Sequence, residues 1–259
     1  MLKQAIVVVV SFGALMFGCG SEEQRDIASE NQEIIANLIQ AGFPEDDIMV
    51  VDDVVFVGRD GAVGLRASRE MLTGDYGTDE QYRTSNLVSR GLAVICVNGA
   101  AFTGSFSTAL NNAIANYNAL GLTFSMRRTS AQNASGCNAT IRARVSTGTG
   151  GSSGFPSGGV PFNTINIGSG LNGFAVNTIT HVITHELGHT IGFRHSDYFN
   201  RTISCGTGGS EGQAGVGAIL IPGTPSGATV GGSIMNSCFR TVETGHFTST
   251  DITAVTTLY

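Results

Sequence analysis

Several absences narrow what this chain of 259 residues can be. It has no tryptophan, and only 13% of its residues are charged, beside 36 glycines and abundant serine and threonine. That composition suits a loop-rich globular protein outside the cytosol. The apolar run Ala5–Phe17 spans 13 residues, short of the roughly 20 that a membrane-spanning helix needs. The Gly/Ser stretch Thr147–Gly159 contains neither GxGxxG nor GK[ST], so it is no phosphate cradle. Basic residues show only a small excess after residue 80 and are scattered, which argues against a nucleic-acid partner. No internal repeat is visible.

What is present begins with a targeting segment. Lys3 supplies a positive start, Ala5–Phe17 the apolar stretch, and Gly18-Cys19 the end, so residues 1–19 read as an export signal. A Gly-Cys in that place is similar to a bacterial lipoprotein cleavage site, with Cys19 as the lipidated residue. Free secretion is the alternative, and any membrane contact runs only through that lipid. Four further cysteines, 96, 137, 205 and 238, form an even set that in an exported protein favours two disulfides. Three pairings are possible; the preferred one keeps each bridge within its own half, Cys96–Cys137 and Cys205–Cys238.

Charge divides the chain. Residues 20–80 carry four arginines against 15 acids, a net −11, whereas residues 81–259 carry nine arginines against five acids, a net +4. An acidic segment beside a basic domain suggests two parts that dock. The segment has pattern of its own. Ile34, Ile35, Leu38 and Ile39 follow helical spacing, Gly42-Phe43-Pro44 ends that helix, Met49–Val57 reads as a strand, and Arg66–Leu72 as a further helix. Residues 20–85 are therefore expected to form a small acidic propeptide, and 86–259 the main domain. In the latter, Leu92–Val97 reads as a buried strand, Phe106–Leu120 as a helix, and Leu122–Arg127 and Ala139–Val145 as half-buried strands. Thr147–Gly159 reads as a loop and Asn163–Ile167 as a short strand. That strand, at an edge, would suit pairing with an extended substrate. Ile252, Val255, Leu258 and Tyr259 mark a terminal helix.

The chemistry concentrates in His185–His195, HELGHTIGFRH, which reads H-E-x-x-H-x-x-G-x-x-H. On a helix His185 and His189 leave the same face one turn apart, as two nitrogen ligands of a Zn2+ ion must. Gly192 can take positive φ and turn the chain so that His195 supplies a third ligand. Three histidines leave one coordination position open, the mark of a catalytic rather than a structural zinc. Glu186 sits beside the metal, where a general base for a metal-activated water is needed. His181 lies a further turn back, too far along the axis to share the ion.

Met235, 40 residues after His195 in Ser233-Ile-Met-Asn236, has the form of a tight methionine turn beneath such a site. Together with Asn116-Tyr117-Asn118, Phe155-Pro156-Ser157, Ser204-Cys205-Gly206, Glu211-Gly212 and Ile221–Pro225, these motifs make the chain resemble the bacterial dual-action HEIGH metallopeptidases, a metzincin family. Leu187 stands where that family usually has Ile. The resemblance implies an α/β fold with a twisted, mostly parallel sheet, an active-site helix and an irregular C-terminal part. It also implies a zinc endopeptidase acting on proteins or peptides, with one catalytic Zn2+; calcium is left open. Some metzincin propeptides present an aspartate to the zinc from a Gly-Asp motif, and Asp60 and Asp75 stand in imperfect versions of it. The propeptide would then be the protein's own partner and latency its consequence. Two departures matter. Ser237 occupies the place of a tyrosine found in astacin-like and serralysin-like relatives, and Ser196 follows the third histidine, leaving Asp197 to tie that loop to the turn. The alternatives are a surface lipoprotein that uses an inactive zinc domain for adhesion, and a hydrolase of non-peptide amides.

Overall fold

The structure, a computed structural model, describes residues 22–72, 81–212, 218–225 and 227–259; Cys19 and Asp75 lie outside them. In chain order its elements are α1 (Glu22–Gln40), β1 (Met49–Val51), β2 (Val54–Val57), β3 (Gly61–Ala62), α2 (Leu65–Met71), β4 (Tyr82–Arg83) and β5 (Val94–Asn98). There follow α3 (Gly104–Asn118), β6 (Ser125–Thr129), β7 (Ala139–Ser146), β8 (Gly151–Gly154), β9 (Thr164–Gly168), α4 (Val176–Thr190), α5 (Thr202–Cys205), β10 (Ile219–Leu220) and α6 (Ser249–Leu258).

Strands β1-β2-β3-β8-β9-β7-β5-β6 form one sheet in that order, with β6, β5, β7 and β9 mutually parallel. Parallel strands are covered on both faces, and Ile95, Cys96 and Val97 of β5 are accordingly buried. Burying each aliphatic side chain stabilises by roughly 1.5–3 kcal/mol. Helix α3 packs along α4, with Tyr117 Oη donating to the Thr184 carbonyl, and buries Phe106, Ala109, Leu110, Ala113, Ile114 and Tyr117, whose spacing puts them on one side. Helix α4 is buried from Thr178 to Thr190, so nothing on it faces bulk water over three turns. Three expectations change here. Met49–Val57 is not one strand but the antiparallel pair β1–β2, turned at Asp52 and Asp53 with φ of 49° and 62°. The Gly/Ser stretch contains strand β8, antiparallel to β9, so β9 is interior rather than an edge. Small side chains hid β8 because a Gly-Ser-Ser-Gly strand carries no apolar alternation to read. The strand expected at 122–127 is shifted to Ser125–Thr129.

The N-terminal segment has its own small core of Ile34, Leu38, Phe43, Val55, Val57, Val63, Ala67 and Met71, which Phe155 joins from the main domain. Its β3 adds to the large sheet by pairing parallel with β8. Tyr82–Arg83 pairs instead with Ile219–Leu220 of the C-terminal part. Disulfides join Cys96 to Cys137 and Cys205 to Cys238, chemistry that fits an extracellular protein. Among the described residues no helix is long and apolar enough to cross a membrane.

Candidate active site

Helix α4 carries His185, Glu186 and His189 and ends at Thr190. Gly192 has φ of 112°, and a Cβ there would stand 2.7 Å from the Asn86 carbonyl, so only glycine fits the turn. Phe193 N–H closes that turn on the Gly188 carbonyl at 3.0 Å. The chain doubles back and brings His195 to the other two histidines. Nε2 of His185 lies 3.0 Å from that of His189 and 3.2 Å from that of His195. Ligands about 2.0–2.1 Å from a tetrahedral zinc stand roughly 3.3 Å apart, which these spacings approach.

The opposite ring nitrogens settle the tautomers. Nδ1 of His185 donates to the Ile234 carbonyl at 2.8 Å and Nδ1 of His189 to the Phe193 carbonyl at 2.7 Å. Nδ1 of His195 lies 2.5 Å from Glu211 Oε1. A proton on each Nδ1 leaves each Nε2 with its lone pair aimed at the common point, as metal-ligating histidines require. Three lone pairs converging at 3 Å repel one another unless a cation lies between them, so this donor set fits a metal ion.

The fourth group is Asp60. Its Oδ2 is 3.1 Å from His195 Nε2 and 3.8 Å from His185 Nε2, and its Oδ1 is 3.8 Å from His189 Nε2. The four ligand atoms lie within 4.8 Å of one another. Asp60 comes from the tight β2–β3 turn, where Gly58 and Arg59 have φ of 61° and 71°. Ser153 N–H donates to its carbonyl at 3.0 Å. Buried Asp60 Oδ1 and Glu186 Oε2 have no hydrogen-bond partner; orphaned carboxylate oxygens beside convergent imidazoles again fit a cation and a reactant. Burial, with the Asp60 charge second, pushes the Glu186 carboxyl well above the usual range. Burial lowers His189 to about 3, with the other imidazoles adding to it. Without an ion, burial opposes the charge on His195, but Asp60 and Glu211 outweigh it and hold that imidazole well above its ordinary value, so its Nε2 keeps a proton that a metal must displace.

Met235 lies beneath the site. Its turn is held by Ser233 Oγ, which accepts from Met235 N–H at 2.8 Å, and its carbonyl accepts from Ser196 N–H at 2.7 Å. Asp197 Oδ1 accepts from Ser237 N–H at 2.9 Å and from its hydroxyl at 2.8 Å, tying the loop after His195 to the turn. A Cβ on Gly188 would stand 2.7 Å from Met235 Sδ, so helix and turn meet only because that side chain is absent. Gly188→Ala is therefore expected to cost about 1–3 kcal/mol by overpacking. A lowered urea midpoint with unchanged slope is the readout, and an unchanged midpoint would mean that the turn moves freely.

His181, buried and one turn before His185, lies outside the cluster of convergent ligand atoms and has Glu243 3.8 Å from its Nδ1. Two residues take roles at the site that the sequence reading does not assign: Glu211 stands there only as part of a family motif, and Asp251 only within a helix start at Thr248–Asp251. Glu211 holds His195 and is held in turn by Arg194 Nη2 at 3.1 Å and Arg201 Nε at 3.5 Å. Asp251, in a capping box with Thr248, accepts from Ser233 Oγ at 2.6 Å and Ile234 N–H at 3.0 Å, and so anchors the methionine turn to α6. A signal for their importance was scarcity, since only five acids follow residue 80.

Three buried imidazoles converging through Nε2, beside a buried glutamate with one unpartnered oxygen, define the metal-dependent hydrolase class. The family model described as dual-action HEIGH metallo-peptidase matches residues 55–259, and the chain belongs to that family. The match begins at β2, so the turn carrying Asp60 falls within it. Taken with the donor set, this makes the protein a zinc-dependent metalloendopeptidase with one catalytic Zn2+. Two structures of myroilysin are distantly similar. One shares 12% identity over 67% of this chain and 95% of that chain, with a TM-score of 0.41. The other shares 14% over 67% and 85%, with a TM-score of 0.38. No curated protein matches.

Proposed function

We propose that this is an exported endopeptidase made in a latent form, in which Asp60 of the acidic N-terminal segment occupies the position where a reacting water belongs. The observation that carries this reading is the Asp60 carboxylate among the three Nε2 atoms. In this reading His185, His189 and His195 hold the zinc, and Cys19 or free secretion decides whether the protein stays at a membrane. Zinc, when bound, supplies Lewis-acid polarisation of the scissile carbonyl and acidification of water to a pKa near 7. Glu186 Oε2, without a protein partner, accepts the water proton and returns it to the leaving amine. The Asp60 turn is a poor substrate for the same site, because two consecutive left-handed residues break the extended conformation that a peptidase cleft binds. Segment and domain also attract, the first strongly acidic and the second mildly basic. The adhesion alternative loses ground because it needs no carboxylate at Glu186.

The test is Asp60→Ala in the full chain. Loss of an interaction worth about 3 kcal/mol, the scale of a hydrogen bond to a charged group, shifts a closed-to-open ratio by roughly a hundredfold. Casein cleavage without prior proteolysis is expected to rise by that order while zinc content stays at one ion per chain. Equal cleavage by the variant and the unmodified chain, with zinc bound in both, would remove Asp60 from this role.

A further inference from the structure

The N-terminal segment contributes more than Asp60 to the cleft. Arg201 is only 5% exposed, and two of its neighbours come from that segment. Its Nη1 donates to the Gly58 carbonyl at 3.3 Å and lies 4.0 Å from Asp47 Oδ1. Asp47 is fixed there because its other oxygen accepts from Gly58 N–H at 3.0 Å. Glu211, on the main-domain side, is shared with Arg194. The fit is close: a Cβ on Gly58 would be 2.9 Å from Glu211 Oε2, and one on Gly212 would be 2.6 Å from the Gly42 carbonyl.

Arg201 also lines the cavity of about 370 Å³ that reaches His185 and Glu186, with Arg59 and Asp60 of the segment on its other wall. Once the segment leaves, one carboxylate, Glu211, faces two guanidinium groups, and Arg201 loses both an anion and a carbonyl. That leaves Arg201 at the cleft with a shared carboxylate and two vacated contacts, a place that an anionic group of a bound peptide fits. An extended peptide crossing the cleft brings main-chain carbonyls in any sequence, but a carboxylate only where it carries Asp or Glu.

We infer that Arg201 is a specificity-determining residue for an acidic side chain of the substrate, and that Asp47 and the Gly58 carbonyl fill the substrate's carboxylate and carbonyl positions in the latent chain. The substrate class is thus an acidic, extended peptide. The inference rests on the latency reading above, because it takes the segment as the occupant of the substrate cleft.

The experiment uses the full chain carrying Glu186→Gln, nicked within residues 73–80 by an added protease and passed over a sizing column until the freed segment is gone, so that peptides bind without being consumed. Fluorescent decapeptides that place Glu or Gln at each position in turn are titrated by anisotropy at low and high salt. At one position Glu is expected to bind about tenfold tighter than Gln at low salt, with the gap narrowing at high salt. Arg201→Gln should bring the ratio to about one, and Arg201→Lys should restore part of it, with zinc content unchanged in both. No Glu preference at any position overturns the inference. So does a loss of zinc and of both peptides together in Arg201→Gln, which would make Arg201 a support for Glu211 alone. The latency reading is scored separately, by casein cleavage of the chain with Glu186 intact before and after nicking. Equal rates there would sink that reading, while the Glu/Gln ratio still decides the role of Arg201.

Discussion

Glu186→Gln is expected to lower kcat on casein by roughly 10²–10⁴-fold while the protein keeps one zinc and its fold. The reasoning is local. Glu186 offers no ligand atom to the cluster of Asp60, His185, His189 and His195, so the amide removes no metal contact. Its Oε2 has no hydrogen-bond partner, so no buried donor is orphaned by the change. Burial and the Asp60 charge already disfavour the carboxylate, so a neutral isostere suits this pocket at least as well. Stability should be unchanged or slightly raised. What the amide cannot do is take a proton and pass it on. Measured after nicking, with zinc determined by mass spectrometry on the same sample, the variant must be slow and fully loaded. A fast, loaded variant would move the proton transfer to another group, and an empty one would show that Glu186 helps to hold the ion.

Much of the site was legible because its chemistry has a fixed spacing. His185 and His189 one helical turn apart, and Gly192 at the only place where the chain can turn back, are requirements of zinc geometry acting on backbone geometry. They show in the sequence at short range. The buried strand β5 and the helix α3 were legible for a similar reason: each exposes a periodic apolar pattern. Strand β8 was not, because its place is set by hydrogen bonding to β9 and by the need for small residues where Ala62 and Phe162 press on Gly154.

Long-range partners were the other blind spot. After residue 80 the chain has five acids, and apart from Glu186 each holds something. Asp197 ties a loop to the methionine turn, Glu211 orients His195, Glu243 pairs with Arg240, and Asp251 caps α6 while gripping Ser233. Buried charges are expensive unless paired, so in a charge-poor domain each remaining carboxylate marks a junction. Spacing along the chain does not reveal which junction, because the partners lie 16 residues away for Glu211 and His195, 40 for Asp197 and Ser237, and 18 for Asp251 and Ser233.

Glu211 gives the second large effect, opposite in character to that of Glu186. It is 1% exposed and contacts His195 Nδ1 at 2.5 Å, Arg194 at 3.1 Å, Arg201 at 3.5 Å and Ser237 Oγ at 3.3 Å. Three of these neighbours, His195, Arg194 and Arg201, present N–H donors, while the Ser237 hydroxyl gives its proton more closely to Asp197, so the site wants acceptors. A glutamine keeps one oxygen but turns an N–H2 toward donors, and it leaves two buried guanidinium groups with half their compensation. Breaking a buried ion pair from one side costs roughly 3–5 kcal/mol, and losing the carboxylate behind a ligating histidine weakens metal binding about 10–100-fold. Glu211→Gln should therefore lose stability and zinc together, whereas Glu186→Gln loses neither. Acid adds a further signature. Burial pushes the Glu211 carboxyl up, but His195 and Arg194 outweigh it and bring it to about 2, from an ordinary 4.5. A folded-state value below the unfolded one stabilises fully above pH 4.5 and is lost as pH falls toward 2. The unmodified protein should lose stability across that window, and the variant, already without the contribution, should lose less. Urea midpoints from pH 2 to 7, with zinc affinity from chelator competition, measure both. If Glu211→Gln bound zinc within twofold of the original and its acid limb ran parallel, His195 would be held in place by its backbone alone.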